Sequence, residues 1–502
     1  MAAHNKSILA EGLRAMARTS VCPWDDYYAR MAQTDWLEWR HEKRCTKTYF
    51  IRNCPFGGSY ALLGGVTEFL RQVHDYRFTD EALEVMRGQG YREDFLEYLK
   101  QKRRLSLMTH SLPEGSIFFP GEPAVVIGGA LLDVRLAEGM LLECVNFPSL
   151  SMTKWSRVAH ATGTGSVMEF ARRRAQDPFR TSLYAYLAGA AVSSNDEMGQ
   201  WFDIPTVGTM GHEWIQSYGH EFDAFDRWLA HNPDRPVLLV DTVDTLSSGV
   251  PNAIKAFKAH RGAIGDATMG IRLDSGDLAY LAMMAYQKLD MAGLFSVKIY
   301  MTNDLEEHSI QAIRGQIEQN AARFGYPPGE IFRKLVWACG TKPGTCWDQP
   351  SIGGVAKLTS MSFKASEQPV IKLARDNPVK TSIPGNNRSA ALVSEDGFLQ
   401  GILIMGARED PKEIREFVHP DDESKRTTIP LEWAVAPRQV GSSDAPPPSE
   451  TLTAVRERVQ EQLAMLHWTH RRLDKPHRVK VGLSPRLFEL RQRMIRNGAL
   501  YD

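Results

Sequence analysis

The chain has 502 residues, 43% of them hydrophobic and 24% charged, which is typical of a globular protein with a sizeable core. Sixty basic and 60 acidic residues give a formal net charge of zero, which argues against nucleic-acid or membrane-surface binding. The six cysteines form no C-x-x-C pair, and no apolar run reaches the roughly 18 residues of a membrane span. We therefore expect a cytoplasmic protein with free thiols.

The first 150 residues predict helices and short strands of a mixed sheet. Helices are expected around Trp24–Glu42 and Tyr60–Val73. Strands are expected at Thr48–Arg52, Ser116–Gly129 and Leu131–Leu136.

From residue 165 to residue 345, short apolar runs recur, and each is followed by glycine or polar residues. The runs begin PTVGTMGH, PVLLVDTVDT, MGIRLDSGD, VKIYMTNDLEE and KLVWACGT. Apolar runs such as Val237–Val240 are typical of parallel strands buried on both faces. Helical stretches such as Leu278–Leu289 and Leu305–Arg323 lie between them. This alternation predicts a parallel α/β sheet or barrel.

The last third of the chain predicts strands in VAKLTSMSF and PVIKLARD, a loop at Ser442–Pro448 and a helix at Thr451–Leu466. Ser484 and Pro485 are typical of the N-cap and first residue of a final helix. We expect the two chain ends, residues 1–150 and 356–502, to build a flanking α/β domain beside a barrel of residues 151–355.

Polar residues follow the predicted strands of the central segment. Because active sites of α/β barrels lie at the carboxyl ends of the strands, we expect these residues to converge: His212, Asp241, Arg272, Asp274, Asn303, Asp304 and Thr341. The alternative is that they only build turns and caps, with Ser275 and Asp304 capping the helices that follow.

Three motifs indicate anion binding, each with a plainer alternative. In Gly208–Trp214, His212 can act as acid, base or phosphate acceptor, or it can be a structural histidine. The glycine turn Cys339–Thr345 can bind phosphate through backbone amides, or it is an ordinary loop. The cluster Arg172–Arg174 suits a pyrophosphate, or it is a solvated charge run.

The motif GIRLDSGD places Arg272 and Asp274 two residues apart, on the same side of a strand. An arginine can stack on a flat heteroaromatic ring, and a carboxylate can accept from sugar hydroxyls or hold Mg²⁺. The alternative is an internal ion pair. Together with the anion-binding motifs, this pattern favours a phosphorylated sugar substrate.

Several segments, in this order, resemble the nicotinate phosphoribosyltransferases over roughly residues 20–400. They are RNCPFGGSYALLGGV (Arg52–Val66), EFARRRAQ (Glu169–Gln176), GTMGHEW, GIRLDSGD, TNDLEE (Thr302–Glu307), CGTKPGT and IKLARDNPVKTSIPG (Ile371–Gly385).

The resemblance implies an irregular TIM-like α/β barrel with a flanking α/β sandwich domain from both chain ends. It also implies a homodimer with shared active sites. The reaction implied is formation of nicotinate mononucleotide and pyrophosphate from nicotinate and phosphoribosyl pyrophosphate, with Mg²⁺ and with ATP as co-substrate, in NAD biosynthesis. The metal ligands are not assigned.

The resemblance also assigns residues. It implies that His212 becomes a phosphohistidine, that Arg272 packs on the pyridine ring and that Asp274 lies near the ribose. Further substrate-binding candidates are Tyr27, Phe56 and Gly57 from the partner, and Arg173, Arg174, Asp277, Asn303, Asp304, Gly340 and Thr341.

Two alternatives remain open. A nicotinamide phosphoribosyltransferase would share the fold, and Glu169 at the pocket edge would then accept from the amide of its substrate. An inactive homologue would serve as a binding protein, although His212, Arg272, Asp274 and Asp277 are all present.

Overall fold

The computed structural model describes residues 28–163, 166–363, 366–377, 380–443 and 449–498. They fall into two compact units. The first contains the described residues up to Thr153 together with those from Ser351 onward, and the second is Lys154–Pro350. The first unit therefore draws on both ends of the chain.

The strands of the described residues are β1 (Arg44–Phe50), β2 (Ala61–Leu62), β3 (Leu107–Ser111), β4 (Ile117–Phe118), β5 (Val125–Ala130), β6 (Ser166–Glu169), β7 (Val192–Ser193), β8 (Val237–Leu239), β9 (Gly270–Leu273), β10 (Lys298–Met301), β11 (Leu335–Cys339), β12 (Val355–Phe363), β13 (Ser366–Pro369), β14 (Asn387–Val393), β15 (Leu399–Gly406), β16 (Glu416–His419), β17 (Asp422–Thr428), β18 (Ala434–Pro437), β19 (Val440–Ser443) and β20 (Lys480–Leu483).

The α-helices are α1 (Tyr28–Leu37), α2 (Val66–Asp75), α3 (Asp80–Gly88), α4 (Glu93–Lys102), α5 (Leu131–Ala161), α6 (Pro178–Ala188), α7 (Asp196–Phe202), α8 (His212–Gln216), α9 (Glu221–His231), α10 (Val250–Ala259), α11 (Arg261–Ile264), α12 (Leu278–Met291), α13 (Glu307–Asn320), α14 (Pro328–Phe332), α15 (Thr341–Gly344), α16 (Leu452–Ala464) and α17 (Pro485–Asn497). None of them is long and apolar enough to cross a membrane, among the residues described.

The second unit is built on a six-stranded sheet in the order β7-β6-β11-β10-β9-β8. Every neighbouring pair in this sheet is parallel. The predicted parallel α/β sheet is confirmed, as are helices α12 and α13 between its strands. Within the described part of the chain, no pairing joins β7 to β8, so the sheet is seen as open and not as a closed eight-stranded barrel.

The predicted strand in PTVGTMGH does not form. Only Thr206 makes a single parallel bridge, to Ser193, before the chain continues without regular structure to α8. Gly208 and Gly211 interrupt the apolar run, and glycine weakens a strand because it has no side chain to pack.

A glycine permits the close approach of α10 to the end of β8. A Cβ atom at Gly249 would lie 1.8 Å from the carbonyl oxygen of Val240, so no larger residue fits there without a backbone shift. This contact fixes the chain just before Asp241.

The first unit contains two six-stranded sheets and one two-stranded sheet. The sheet β13-β12-β1-β5-β3-β19 is antiparallel throughout. The sheet β17-β16-β20-β15-β14-β18 is mixed, because β15 and β20 run parallel. Strands β2 and β4 pair separately.

Two strand predictions in this unit are wrong. Leu131–Leu136 begins the 31-residue helix α5. A short apolar run fits a buried helix as well as a strand, and only the length of the whole element distinguishes the two. In PVIKLARD only Pro369 belongs to a strand, the short β13.

The predicted starts of the last two helices are confirmed. Thr451 Oγ1 accepts a hydrogen bond from the Ala454 amide at 3.2 Å, and Ser484 Oγ accepts one from the Leu487 amide at 3.2 Å. Of the predicted loop, residues 444–448 lie outside the described residues, and the segment before them is β19.

A buried carboxyl group holds the start of α2. Glu114 is 2% exposed and accepts hydrogen bonds from the backbone amides of Gly65 at 2.5 Å and Thr67 at 2.8 Å. Burial raises the pKa of Glu114 to about 7, although both amides act in the opposite direction.

This raised pKa predicts a pH dependence of stability. A carboxyl group whose pKa is higher in the folded state contributes stability below its unfolded pKa and loses it as pH rises through the folded value. We expect the free energy of unfolding to fall by roughly 1–3 kcal/mol between pH 5 and pH 8 because of this group. Urea denaturation of wild type and Glu114→Gln at both pH values measures it, since the variant should lose most of this dependence.

The matched control is Glu81→Gln, which changes an exposed residue in the first turn of α3. This variant should keep the pH dependence of wild type. Equal dependence in Glu114→Gln and wild type would contradict the prediction.

Candidate active site at the carboxyl edge of the parallel sheet

The parallel strands of the second unit all end at the same edge of the sheet. The residues that follow these strands are therefore brought to that edge. They are Arg173 and Arg174 after β6, Asn195 after β7, Asp241 after β8, Asp274 after β9, Asn303 and Asp304 after β10, and Gly340 and Thr341 after β11.

Arg272 on β9 is held from three sides. Its Nη1 donates to Thr209 Oγ1 at 2.9 Å, and its Nε donates to Thr302 Oγ1 at 3.2 Å. Its Nη2 lies 2.9 Å from Asp274 Oδ2. The predicted alternative of an Arg–Asp ion pair therefore exists in the structure, and it fixes the plane of a guanidinium that is 15% exposed.

Asp241 joins the histidine to the end of β9. Its Oδ2 accepts from the Asp274 amide at 3.0 Å and from Ser275 Oγ at 2.6 Å. Its Oδ1 lies 3.1 Å from His212 Nε2. Because a carboxylate only accepts hydrogen bonds, we assign the proton of a neutral His212 to Nε2, which leaves Nδ1 with a free lone pair.

The imidazole of His212 is accessible to solvent, whereas the carboxylate of Asp241 that holds it is buried. The His212 side chain is 40% exposed and that of Asp241 is 2% exposed. His212 is the first residue of α8 and follows Gly208 and Gly211, around which a Cβ atom would meet no neighbour within 4 Å. The arrangement presents one ring nitrogen outward from a fixed histidine.

The alternative that Ser275 and Asp304 cap the helices that follow them is wrong for both residues. Ser275 donates to Asp241, and Asp277 caps α12 by accepting from the Tyr280 amide at 3.1 Å. Glu306, and not Asp304, caps α13 by accepting from the amides of His308 at 3.1 Å and Ser309 at 2.9 Å. Capping preference alone does not select among neighbouring acceptors.

The turn after β10 has an unusual backbone. Asn303 and Asp304 have φ angles of 85° and 44°, a left-handed conformation that is uncommon outside glycine. Just before them, Thr302 donates to the carbonyl oxygen of Leu273 at 2.8 Å and also hydrogen-bonds to Asp274. Such backbone strain clusters at functional sites and needs support from its surroundings.

That support includes a buried ion-pair cluster that the sequence did not predict. Glu307 Oε2 lies 2.7 Å from Lys154 Nζ, and its Oε1 lies 2.9 Å from Arg157 Nε. All three side chains are at most 3% exposed. Burial alone raises the pKa of Glu307, but the two cations outweigh it and lower the pKa below its ordinary value. The cluster anchors the start of α13.

The glycine turn after β11 is one turn of helix, α15. A Cβ atom at Gly340 would lie 2.9 Å from the carbonyl oxygen of Phe170, and one at Gly344 would lie 2.4 Å from Ala171 Cβ. These contacts pack the turn against the chain that follows β6. Pro343 lies in the first turn of the helix, where a missing amide hydrogen breaks no intrahelical bond.

The three arginines after β6 differ in their partners. Arg172 Nη2 lies 3.2 Å from Glu197 Oε2. Arg173 and Arg174 are exposed, and within the described ranges their side chains make no hydrogen bond or ion pair. Both guanidinium groups therefore remain available to an anion.

Glu169 does not lie at a pocket edge, so that expectation is wrong. It is fully buried, and its two carboxylate oxygens accept from Ser193 Oγ and from the Ala171 amide. Burial raises its pKa. The group ties β6 to β7 and is not available to the amide of a substrate.

Comparison with known proteins adds to this geometry. Family models described as the nicotinate phosphoribosyltransferase N-terminal and C-terminal domains match residues 24–146 and 392–491. A nicotinate phosphoribosyltransferase of Bacillus subtilis is 33% identical, with 92% of each chain covered. The chain belongs to the nicotinate phosphoribosyltransferase family.

Other similar proteins belong to the same family. A nicotinate phosphoribosyltransferase of Homo sapiens is 29% identical, with 94% of this chain and 96% of that protein covered. The crystal structure of human nicotinic acid phosphoribosyltransferase matches with a TM-score of 0.77 and 25% identity, over 94% of this chain and 99% of that one.

Some residues that the family resemblance implies lie in the first unit of this chain. Phe56 and Gly57 belong to the first unit, in the short 3-10 turn Pro55–Gly57. Their φ angles are 55° and 62°, and Phe56 is half-buried. Tyr27 lies outside the described residues.

The cluster of Glu306, Glu307 and His308 has the donor types of a metal site, but its acids are occupied. Glu306 caps α13, and Glu307 is paired with two cations. Oxygen donors that suit Mg²⁺ better are the exposed side chains of Asn303 and Asp304 at the sheet edge, since both carboxylate oxygens of Asp274 already have partners in Arg272 and Thr302.

The buried cluster predicts a large effect of Glu307→Gln on stability. The amide would leave Lys154 and Arg157 buried without their carboxylate, which costs about 3–5 kcal/mol when one partner of a buried pair is removed. Urea denaturation measures the free energy of unfolding. Glu318→Gln, an exposed position on the same helix, should change it little. Equal stability of the two variants would show that the cluster is not needed.

Proposed function

We propose that this protein forms nicotinate mononucleotide and pyrophosphate from nicotinate and phosphoribosyl pyrophosphate, coupled to ATP hydrolysis through a phosphohistidine. The observation that carries the proposal is the connected set of contacts from His212 through Asp241 to Asp274 and Arg272 at the sheet edge. Named relatives over almost the whole chain support the reaction. The setting would be NAD biosynthesis in the cytoplasm.

In this proposal, the guanidinium of Arg272 forms one face of the nicotinate site. Its plane is fixed by Thr209, Thr302 and Asp274, and a fixed planar cation can stack on a heteroaromatic ring. Its positive charge also favours a carboxylate-bearing ring over a neutral one. The loss of Glu169 as an amide acceptor removes the observation that favoured nicotinamide.

The phosphates would bind at the same edge. Arg173 and Arg174 are free to hold the pyrophosphate bidentately, and the turn at Gly340 and Thr341 would hold the 5′-phosphate. Asn303 and Asp304 would hold Mg²⁺, which neutralises the charge of the pyrophosphate. Asp277 is already a helix cap, so its part would be limited to its second oxygen.

In the transfer, the bond from C1′ of the ribose to the pyrophosphate oxygen breaks, and a bond from C1′ to the ring nitrogen of nicotinate forms. Positive charge develops on the sugar as the leaving group departs. Asp274, partly exposed beside Arg272, would stabilise that charge. Because both reactants are held by fixed groups, orientation would supply much of the rate enhancement.

His212 would accept the γ-phosphoryl group of ATP on Nδ1, releasing ADP, and water would later release phosphate from it. Asp241 supports this role, since it accepts from Nε2 and would stabilise the phosphorylated ring. Phosphorylation would thus occur on the nitrogen that faces away from Asp241.

We extend the proposal to the assembly. The parallel sheet would form part of an irregular barrel, the first unit a flanking sandwich domain, and the protein a homodimer. Tyr27, Phe56 and Gly57 of one protomer would then complete the site of its partner. The strained turn at Phe56 supports this, because such turns persist where they serve a function.

The proposed reaction predicts which substrate is turned over. Nicotinate with phosphoribosyl pyrophosphate and Mg²⁺ should give nicotinate mononucleotide, faster with ATP, while nicotinamide as a parallel substrate should react much more slowly. Chromatography of the products measures this. Faster turnover of nicotinamide would assign the protein to the nicotinamide enzymes, and binding of substrates without any turnover would make it a binding protein.

The proposed phosphohistidine predicts a modification of His212. After incubation with ATP, ³¹P NMR of the denatured protein should find phosphate on Nδ1 of His212, and phosphate on Nε2 would contradict the role of Asp241. In His212→Ala the ratio of rates with and without ATP should fall to about one. His220→Ala, an exposed histidine before α9, should keep the ATP stimulation of wild type.

A further inference from the structure

Two anion-binding elements of the candidate active site lie next to each other at the carboxyl edge of the parallel sheet. The arginine turn, residues 171–174, follows β6, and the glycine turn, residues 340–344, follows β11. Strands β6 and β11 are hydrogen-bonded neighbours, so the two turns begin from adjacent strand ends. In the proposed function they bind the two ends of one molecule, with the pyrophosphate on the arginine turn and the 5′-phosphate on the glycine turn.

Ala171 is the residue at which the two turns meet, and it is fully buried. Its carbonyl oxygen accepts from the amides of Arg174 at 2.8 Å and Ala175 at 2.9 Å, which closes the arginine turn. Its Cβ atom lies 2.4 Å from the position that a Cβ atom would take at Gly344. Only glycine permits so close an approach, so the glycine turn packs directly against Ala171.

The backbone before Ala171 is fixed to the glycine turn as well. The Phe170 amide donates to the Cys339 carbonyl oxygen at 2.7 Å, so the pairing of β6 with β11 continues past the end of β6. A Cβ atom at Gly340 would lie 2.9 Å from the Phe170 carbonyl oxygen. The spacing between the two turns is therefore set where the chain leaves β6, at Phe170 and Ala171.

The carboxylate of Glu169 holds Ala171 in this position. One of its oxygens accepts from the Ala171 amide, and the other accepts from Ser193 Oγ. Ser193 Oγ in turn accepts from the Asn195 amide at 3.0 Å. Glu169, Ser193 and Asn195 are at most 1% exposed. The arginine turn is thus fastened through one buried carboxylate to β7 and to the residues that follow it.

The charge of Glu169 needs a reason beyond the joining of two strands. Burying a carboxylate is costly, and within the described part of the chain no cation pairs with this one. A neutral side chain would join β6 to β7 at a lower cost. A carboxylate, however, makes shorter and stronger hydrogen bonds than a neutral acceptor, so it fixes the Ala171 amide more rigidly.

Rigid spacing is valuable for a substrate with an anionic group at each end. Once one end is bound, the other end binds within the same complex, and this gain depends on how well the two sites match the length of the molecule. A displacement of about 1 Å can cost up to about a hundredfold in such an arrangement. A residue that sets the spacing therefore acts on the joint binding of both ends and not on either end alone.

We propose that Glu169 is a positioning residue for phosphoribosyl pyrophosphate: through Ala171 it sets the spacing between the arginine turn and the glycine turn, so that both ends of the substrate bind at once. The inference rests on the proposed function, from which it takes the assignment of the two turns. It deepens that function by giving a role to a buried residue that touches no substrate.

Isothermal titration calorimetry with Mg²⁺ gives the dissociation constants of phosphoribosyl pyrophosphate, pyrophosphate and ribose 5-phosphate. The product of the two fragment constants, divided by the constant of the whole molecule, is the effective concentration of the second end. In Glu169→Leu this effective concentration should fall on the order of tenfold. The constants of pyrophosphate and ribose 5-phosphate should each change less than about threefold, because each turn keeps its own binding groups.

Two further variants separate positioning from folding. Glu169→Gln should keep most of the effective concentration, because its amide oxygen can accept from the Ala171 amide and its amide nitrogen can donate to Ser193 Oγ. Ala171→Gly removes only the methyl group that packs against Gly344, so it tests the same spacing even if Glu169→Leu does not fold. It should lower the effective concentration about threefold.

The matched control is Glu197→Leu. Glu197 pairs with Arg172 of the same arginine turn at 3.2 Å, but both side chains are at least 40% exposed. Loss of this surface ion pair should leave the effective concentration at the wild-type value, since exposed pairs hold a segment weakly.

Two results would overturn the inference alone. One is a wild-type effective concentration in folded Glu169→Leu or in Ala171→Gly. The other is a loss in Glu169→Leu that appears equally in the binding of pyrophosphate or of ribose 5-phosphate, which would show a general structural role. In both cases wild type still binds phosphoribosyl pyrophosphate more tightly than its fragments, so the proposed function stands. A wild-type protein that binds none of the three ligands would overturn the proposed function and this inference together.

Discussion

The carboxylate of Asp241 is the interaction on which the candidate active site depends. It accepts from the backbone of Asp274, from Ser275 and from His212, so two segments of the chain besides its own converge on one buried group. A carboxylate only accepts hydrogen bonds, and it therefore fixes both the path of the chain after β9 and the tautomer of His212. Thr302 extends the same network to β10 through Arg272 and Asp274.

This network is possible because the strands are parallel. Residues separated by tens of positions come together only if each strand ends at the same edge, which the alternation of strand and helix provides. The rigid contacts beneath the edge matter equally. The Lys154–Glu307 pair holds the start of α13, which follows the strained turn at Asn303 and Asp304. The Gly249 contact holds the end of β8, which precedes Asp241. The polar groups of the sheet edge are therefore held by tightly packed secondary-structure elements.

Sequence patterns predicted the parallel strands, because short apolar runs that are each followed by polar residues are typical of buried parallel strands. They failed where local signals are ambiguous. By composition, Leu131–Leu136 fits a strand or a helix. Ser275 and Asp304 are as suitable for capping as Asp277 and Glu306, which cap the helices. The partners of Glu169 and Glu307 could not be predicted, since they depend on contacts between distant residues, as with Arg157 and Glu307, 150 positions apart. The candidates at the sheet edge came from motif order and resemblance, and the structure supplies their contacts.

A chain of zero net charge can still bind anions if its cations are unevenly paired. Most buried cations here have a carboxylate partner, as Lys154, Arg157 and Arg491 do. The cations without side-chain partners among the described residues include Arg173 and Arg174 at the sheet edge. Attraction of anions then comes from local groups and not from the field of the whole molecule, which salt screens over about 8–10 Å. Partly buried guanidinium groups are screened less than exposed ones, so an anion held beside Arg272 would resist added salt more than one held by the exposed Arg173 and Arg174.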